Sequence, residues 1–563
     1  MVWCSVPSVR RFGLRFGSLG GVSFAVQGLI FAAALCAVPS FAAAQPESAP
    51  PKVDSPDEGK PAGDEKPAAP QAETPTPVPD KPAPARPQAG DVKPAAADAA
   101  DIQKPEETKP AEPVPETGFF LGSYGRASSA TDFRKRPGRD ADIVARGSRL
   151  DESPYVEIDV QRQDYWKATG ATTRAVITLG TSAPLFHYNA DFNIRMAVRN
   201  LFLQANNIVK KGFSVWVGSR MYRGDDSYLL DFWPLDNLNT MGGGLRYELP
   251  GGKTFFAWHA GLNQPNTGFF KQTVGRTPAL NQVGVTNVNI LDRQKFISSF
   301  KASHIIPVGK TAGVKAVFYG EIHDVPSGQR ETELKGTFET TPQDTGFVIG
   351  GQLGAFTGTD ASHVNLFVRY ASGVAAYGEF GTPFQLAPDR TSSGARELWI
   401  TASGNWEIGS LGLMASAYFR SFRNASPNLD FSDVDEGIVI ARPHFFLADW
   451  GGIAVEASYQ AQQRGIRMQP TQTPGQIDQP IPAPDGGPHM AGLFRMGIVP
   501  FLSPAGKGSY SRPQIRLIYL LTHRDEGARQ LYTNDDVFSL RPWEHFFGVG
   551  VEWWFNAQTT YGG

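Results

Sequence analysis

The fold of this chain is decided by a stretch in which polar and apolar side chains alternate, Tyr-Val-Glu-Ile-Asp-Val-Gln at residues 155–161. Every second position is Tyr, Glu, Asp or Gln, and the positions between them are Val, Ile and Val. A period of two residues is typical of a β-strand with one polar and one apolar face. The same alternation recurs at residues 365–370, 452–460 and 546–555. The sequence shows no helical stripe of comparable clarity and therefore predicts an all-β fold.

Residues 117–563 are predicted to form this β domain, and two features favour a transmembrane antiparallel β-barrel. Aromatic residues cluster at the ends of the alternating segments, as expected for rings of aromatic side chains at the two membrane interfaces. The last segment closes on Trp553, Trp554 and Phe555. Periodicity alone also permits a soluble protein in which two sheets pack their apolar faces together. That alternative stays open at this point.

The residues before the β domain form two segments of different composition. Residues 1–44 join Arg10, Arg11 and Arg15 to a mostly apolar stretch and end on three alanines, which predicts a cleaved signal peptide for export. Residues 45–116 are rich in Pro, Ala, Lys and Glu and contain no aromatic residue. Such a segment buries too little apolar surface to offset the entropy of ordering. It is predicted to be a disordered linker.

The composition argues against several classes of function. The formal net charge is -2 and the pI is about 6.5, so no basic surface is predicted for nucleic acid. Both cysteines, Cys4 and Cys36, lie near the N-terminus, which leaves the β domain without a thiolate metal site or a cysteine nucleophile. The sequence lacks the spacings of a metal site, a phosphate-binding loop and a serine hydrolase. We therefore expect no enzymatic activity, no cofactor and no metal.

Five short motifs occur in order along the β domain, and together they resemble the maltoporin family, the sugar-specific porins of Gram-negative outer membranes. The resemblance extends from about residue 118 to residue 555. It implies a barrel of about 18 strands, a homotrimer surrounded by outer-membrane lipid, and passive diffusion of maltose and maltodextrins. It also implies that the linker lies in the periplasm, where it can contact the cell wall. The motifs are Leu-Gly-Ser-Tyr-Gly-Arg at 121–126, Val-Trp-Val-Gly-Ser-Arg-Met-Tyr at 215–222, Leu-Asp-Phe-Trp at 230–233, Ser-Arg-Pro-Gln-Ile-Arg at 511–516 and Phe-Gly-x-x-x-Glu-x-Trp at 547–554.

A sugar has weakly apolar ring faces and polar hydroxyl edges, so a selective pore needs aromatic rings together with charged hydrogen-bonding groups. The resemblance assigns an aromatic slide to Tyr124, Tyr155, Phe367 and Trp554. It assigns a polar track to five charged residues, Arg126, Arg149, Glu157, Arg199 and Asp231.

Strand parity supports two of these aromatic residues independently. Tyr155 shares its face with Glu157, and Trp554 shares its face with Glu552, because residues two apart in a strand point the same way. Both rings are therefore expected to face the lumen. Trp553 has the opposite parity and is expected to face lipid or a neighbouring subunit.

The resemblance further predicts that residues 223–236 form a loop that is folded into the lumen as a constriction. Gly224 stands where the maltodextrin members of the family carry an arginine, with Arg223 beside it, and Trp233 stands at the constriction tyrosine. A bulkier gate with a displaced charge is expected to suit another sugar. The loop that the family inserts into the neighbouring subunit has four aromatic candidates here, Phe186, His187, Tyr188 and Phe192.

The sequence thus predicts a sugar-selective outer-membrane porin that acts by facilitated diffusion. Two alternatives remain open. The first is a general porin without a sugar site, which is predicted if Tyr155 and Trp554 do not line the lumen. The second is a secreted all-β carbohydrate-active enzyme whose acidic residues work as a pair.

Overall fold

A computed structural model of the chain describes ten stretches of sequence. The predicted signal peptide, nearly all of the predicted linker, the four aromatic candidates between residues 186 and 192 and the residues after Phe555 lie outside these stretches. The described residues are 115–182, 194–277, 283–331, 337–357, 362–383, 386–426, 433–465, 467–469, 479–481 and 488–555.

Eighteen strands of the described residues form one antiparallel sheet. In chain order they are β1 Gly118–Thr131, β2 Tyr155–Trp166, β3 Ala171–Ser182, β4 Arg195–Asn206, β5 Phe213–Arg223, β6 Asn237–Glu248, β7 Thr254–Asn263, β8 Lys295–Val308, β9 Ala312–Val325, β10 Asp344–Thr357, β11 Ser362–Gly373, β12 Arg396–Ile408, β13 Leu411–Arg423, β14 Val434–Ala448, β15 Gly451–Arg464, β16 His489–Leu502, β17 Gln514–Arg524 and β18 Trp543–Phe555.

The other described elements are short and lie in the connections. Six brief strands pair as three hairpins: Lys271–Arg276 with Thr286–Asp292, Gly328–Glu331 with Phe338–Thr341, and Arg467–Gln469 with Gln479–Ile481. The helical turns are Arg149–Asp151, Tyr228–Leu230, Val374–Tyr377, Glu526–Arg529 and Val537–Leu540. Among the described residues, no helix combines the length and the apolar composition that a membrane-crossing helix needs.

The sheet closes on itself because β1 pairs with both β2 and β18. In the closing pair, Tyr124 lies opposite Trp554 and Arg126 lies opposite Glu552. Closure gives every edge strand a partner, which a strand needs when it crosses the apolar part of a membrane. The predicted barrel and its predicted strand number are both confirmed.

In the strands where polar and apolar residues alternate most clearly, the polar face is the buried one, which decides between a membrane barrel and a soluble sandwich. In β2, Glu157 and Asp159 are 8% and 6% exposed, whereas Ile158 and Val160 are 46% and 40% exposed. β18 follows the same rule, with Glu552 buried and Val549 exposed. Water-soluble sheets bury their apolar side chains, so this inversion indicates a polar lumen and an outer surface that faces lipid.

Connections at the two rims of the barrel differ in length. At the rim where β1 ends, the long-loop rim, the connections are long. At the other rim, the short-turn rim, they are short, with the exception of the turn at residues 503–513, here called the inner turn.

The first loop, residues 132–154, packs against the lumen wall through residues 141–151, while residues 133–140 are mostly exposed. Its Val144 packs with Leu493, and its Leu150 packs with Phe501 and other residues of β14 to β18. Asp142 and Asp151 of this loop both contact the guanidinium of Arg495, at 2.9 and 3.0 Å. No sequence pattern predicted that this loop fills part of the lumen on the side of β14 to β18.

Candidate functional site

The constriction loop was predicted at residues 223–236; in the structure it comprises residues 224–236, because β5 includes Arg223. It crosses the lumen and is anchored at four strands of the wall. Asp225 pairs with Lys315 of β9 at 2.9 Å, and Asp236 pairs with Lys301 of β8 at 2.9 Å. Two hydroxyl contacts complete the anchoring, from Ser227 to Ser416 of β13 at 2.6 Å and from Tyr228 to Glu552 of β18 at 2.6 Å. These contacts hold the loop across the pore, where it narrows the path of a solute.

Nine of the ten predicted site residues line one cavity of about 590 Å³ between the constriction loop and the wall formed by β1, β2, β4 and β18. We call it the site cavity. The nine residues are Tyr124, Arg126, Arg149, Tyr155, Glu157, Arg199, Asp231, Trp233 and Trp554.

Tyr510 and Asp226 line the site cavity as well. Asp226 lies in the constriction loop, and burial raises the pKa of its carboxyl group to about 6.

Asp231 joins the constriction loop to the wall of the site cavity. Its carboxylate lies 2.9 Å from Arg126 and 3.5 Å from Arg149. Its backbone is left-handed, with φ 46° and ψ 49°, where it ends the helical turn Tyr228–Leu230. Aspartate tolerates this conformation better than most residues, because its short polar side chain can bond locally. The two arginines are thereby held in place at the constriction.

The two predicted tyrosines lie side by side in this wall. The ring centroids of Tyr124 and Tyr155 are 6.1 Å apart and tilted by 46°. Arg199 pairs with Glu157 at 3.2 Å and also hydrogen-bonds the hydroxyl of Tyr155. Aromatic faces and charged donors therefore lie next to one another in the same part of the wall.

Trp554 belongs to an aromatic group at the short-turn end of the site cavity. Its ring stands edge-on to Tyr228 at 6.2 Å, and Tyr228 contacts Tyr510 at 5.3 Å. The guanidinium of Arg512 lies 4.6 Å from the Trp554 ring centre. Such a cation over an aromatic face is attractive and holds the ring in a defined orientation.

Glu552 is the acceptor on which this end of the site depends. It is 2% exposed and lies 2.8 Å from Arg512 and 2.5 Å from Arg516. Arg149 approaches it at 3.6 Å, and Tyr228 donates its hydroxyl to it at 2.6 Å. One carboxylate thus holds the constriction loop, the inner turn, the first loop and the wall together.

Phe367 is the one predicted residue that does not line the site cavity. It faces inward, as its parity predicts, but it is 1% exposed and packs with Leu235 of the constriction loop and with Val317 and Tyr319 of the wall. In this arrangement its ring supports the constriction loop and offers no face to a solute.

Gly224 is required by its neighbours in the folded loop. A Cβ atom at this position would lie 2.1 Å from Oδ1 of Asp236, whose carboxylate is buried in its pair with Lys301. An arginine at this position would force that pair apart. The glycine at residue 224 therefore goes together with the Lys301–Asp236 anchor.

Two aromatic residues that line the site cavity, Tyr510 and Tyr228, were not among the predicted site residues. Tyr510 lies in the inner turn, which folds into the lumen so that Tyr510 stacks on His363 of β11 at 6.0 Å and the backbone N–H of Ser509 donates to Glu407 of β12. Tyr228 lies at the centre of the constriction loop. The motif at residues 511–516 directly follows Tyr510 and was the available sequence indication.

A second cavity, of about 640 Å³, lies at the long-loop rim, and we call it the mouth cavity. Tyr155, Arg199, Arg223 and Trp233 line both cavities. The guanidinium of Arg223 lies 3.9 Å from the Trp233 ring centre. These four residues therefore lie at the junction between the two cavities.

Three carboxylates, Asp140, Asp142 and Asp151, come close enough together to suggest a metal site, with ligand atoms within 4.8 Å of one another. Arg495 already contacts two of them at 2.9 and 3.0 Å. A guanidinium at that distance supplies the positive charge that a cation would bring, so the cluster is explained as an anchor of the first loop.

A closed 18-stranded barrel with an apolar outside, a charged lumen and an inward-folded constriction loop defines a porin of the Gram-negative outer membrane. The sequence pattern of the LamB porin family matches residues 124–555, and the chain belongs to this family. The predicted relationship is thereby confirmed. Family and fold are those of a channel and not of an enzyme.

Three solved structures illustrate the more distant similarities of the chain. OmpT of Vibrio cholerae, described as a trimer form, is 10% identical with a TM-score of 0.36, over 78% of this chain and 100% of OmpT. OmpF of Salmonella typhi, in complex with daunomycin, is 11% identical with a TM-score of 0.33, over 78% and 97%. OpdK of Pseudomonas aeruginosa is 11% identical with a TM-score of 0.35, over 78% and 99%. A comparison with curated protein sequences found no match.

Proposed function

We propose that this porin is sugar-selective and mediates facilitated diffusion of maltose, maltodextrins or related oligosaccharides. The observation that carries the proposal is the make-up of the site cavity. Tyr124, Tyr155 and Trp554 offer aromatic faces, and Arg126 and Arg199 offer charged donors, within one space of about 590 Å³. A sugar needs both kinds of partner at once.

The mechanism is an exchange of partners along the wall. Each ring face of the sugar moves from one aromatic side chain to the next, while its hydroxyls exchange water for the charged groups. Hydrogen bonds that involve a charged partner are stronger than neutral ones, so they replace the lost contacts with water. The gradient of the sugar is the driving force, and the chain needs no energy input.

Block of ion current tests the proposal directly. The purified protein is inserted into a planar lipid bilayer, and neutral oligosaccharides of increasing length are added. A sugar-selective channel should show saturable block at concentrations that depend on the sugar. Conductance that falls only in proportion to bulk viscosity would contradict the proposal and favour a general porin.

Trp554→Ala should weaken block by a neutral oligosaccharide about 2- to 13-fold. An aromatic contact is worth roughly 0.5–1.5 kcal/mol beyond area burial, and tenfold in affinity is ~1.4 kcal/mol. The half-blocking sugar concentration in bilayer recordings measures this change.

Trp553→Ala is the matched control on the same strand. Trp553 has the opposite parity, and its indole N–H donates to Ser123 at 3.1 Å at the β1–β18 seam. This variant should keep its affinity for sugar and lose stability of the oligomer on heating. Exchanged phenotypes of the two variants would mean that the last strand is oriented the other way.

We further propose a homotrimer, exported by residues 1–44, with residues 45–116 as a periplasmic linker that can contact the cell wall or keep the barrel at a distance from it. The composition of the two segments and the family support this organisation. Because the linker lacks aromatic residues and precedes the barrel, deletion of residues 46–115 should leave single-channel conductance unchanged. Loss of the channel in a correctly inserted barrel would contradict it.

A further inference from the structure

The mouth cavity carries an excess of positive charge. Two glutamates line it, Glu321 and Glu379. Four arginines line it as well, namely Arg195, Arg199, Arg223 and Arg369. The site cavity differs, because its lining has five carboxylates and four arginines. Positive charge is thus concentrated at the long-loop rim, where a solute first meets the channel.

The two glutamates of the mouth are held by their own partners. Glu321 is 5% exposed and accepts hydrogen bonds from Tyr319 and His323, both at 2.6 Å. Glu379 accepts from the backbone N–H of Asn239 at 2.6 Å and from the side chain of Asn263 at 2.7 Å. Burial raises the pKa of Glu379, in the loop after β11, to about 7, so near neutral pH a large share of it is uncharged.

Two of the four arginines form no ion pair with an acidic residue of the described ranges. Arg223 uses its Nε to donate to Asn237 at 2.7 Å and stacks on Trp233, but it forms no ion pair with another described residue. Arg195 is exposed and likewise forms no ion pair within the described ranges. The remaining two are compensated, Arg199 by Glu157 at 3.2 Å and Arg369 by Glu397 at 3.4 Å.

We propose that the mouth cavity is a binding subsite for the acidic group of a charged saccharide, a carboxylate or a phosphate, with Arg223 as its main ligand. Neither Nη group of Arg223 donates to a residue that the structure describes, and such a guanidinium can bind either oxyanion in a bidentate manner. Trp233 beside it provides an aromatic face for the ring that carries the acidic group. The inference deepens the proposed function and rests on it, because the neutral rings of the same saccharide would occupy the site cavity.

The charge distribution sets the orientation of such a saccharide. The carboxylates of the site cavity repel an anion, so the acidic group stays at the mouth while neutral rings reach past Trp233. Attraction by exposed arginines is also screened by salt, since the Debye length falls from about 10 Å at 0.1 M to about 3 Å at 1 M. A preference for acidic saccharides should therefore weaken at high salt.

The test compares three probes of equal length in bilayer recordings of the full chain: maltotriose, trigalacturonate and a phosphorylated maltotriose. At low salt, at least one acidic probe should block at a several-fold lower concentration than maltotriose. The two acidic arms distinguish a carboxylate from a phosphate as the preferred group. If maltotriose blocks and neither acidic probe blocks better, the subsite is refuted while the proposed sugar function stands. If none of the probes blocks, both fail.

Arg223→Gln should raise the half-blocking concentration of the preferred acidic probe about tenfold, because it removes a charge-assisted interaction. Block by maltotriose should change much less, and Arg223→Lys should restore part of the preference. The control is Arg162→Gln, which removes one positive charge from a side chain of β2 that lines neither cavity. An equal loss for neutral and acidic probes in Arg223→Gln, or an equal effect of the control, would overturn the assignment.

Discussion

Glu552→Gln is expected to loosen the constriction loop and the inner turn from the barrel wall at the same time. The carboxylate lies 2.8 Å from Arg512, 2.5 Å from Arg516 and 2.6 Å from the hydroxyl of Tyr228. Glutamine keeps the size of the side chain but leaves buried guanidinium groups without their counter-charge. Removing one partner of a buried ion pair costs about 3–5 kcal/mol. The cost is expected to appear as lower stability and as a wider, noisier pore.

Two measurements check this expectation. The temperature at which the folded barrel converts to the unfolded form on a detergent gel should fall, and single-channel conductance should rise and fluctuate more. Glu248→Gln is the matched control, because the side chain of Glu248 is 42% exposed and pairs with Arg246 at 3.1 Å. Exposed pairs contribute about 0–1 kcal/mol, so this variant should resemble the unmodified protein. Equal behaviour of the two variants would contradict the role of Glu552.

Arg495→Met is expected to release the first loop from the lumen wall. Arg495 is fully buried, and its guanidinium contacts Asp142 and Asp151 of the loop at 2.9 and 3.0 Å. Methionine would leave two buried carboxylates without a positive charge, at a cost of about 3–5 kcal/mol for a broken buried pair. Since the same loop carries Arg149 of the site, sugar affinity is expected to fall together with the stability of the loop.

Limited proteolysis and sugar block measure the two effects separately. The first loop of Arg495→Met should become cleavable, and the half-blocking sugar concentration should rise. The triple variant Arg495→Met, Asp142→Asn, Asp151→Asn removes all three charges and should recover much of the protection, because no buried charge is left unpaired. A first loop that stays protected in the single variant would show that packing of Val144 and Leu150 alone holds it.

The alternation at residues 155–161 was sufficient to predict the strands and the face on which each side chain lies. Parity is a local property, because successive side chains of a strand point to opposite faces whatever the rest of the chain does. It placed Tyr155 and Trp554 inward and Trp553 outward. The family motifs added the strand number and the constriction loop, both of which belong to regular or strongly patterned parts of the chain.

Loop positions did not follow from any such pattern. Nothing periodic in residues 132–154 or 503–513 indicates that the first loop and the inner turn fold into the lumen. The contact of the first loop with Arg495 and the position of Tyr510 were therefore missed. Phe367 also shows that strand parity does not predict what a side chain contacts. Its face was predicted correctly, but the constriction loop covers its ring with Leu235.

There is a physical reason why strand faces were predicted from the sequence and loop contacts were not. Whether a side chain faces the lumen depends on its own strand, whereas what it meets there depends on residues that are distant in sequence. Tyr228 reaches Glu552 across 324 positions, and Asp142 and Asp151 reach Arg495 across 353 and 344. Such contacts form only when the closed barrel brings its walls and loops to one place. The local pattern therefore determined the barrel and the polarity of its lumen, and the folded chain alone determined which groups line the path of the solute.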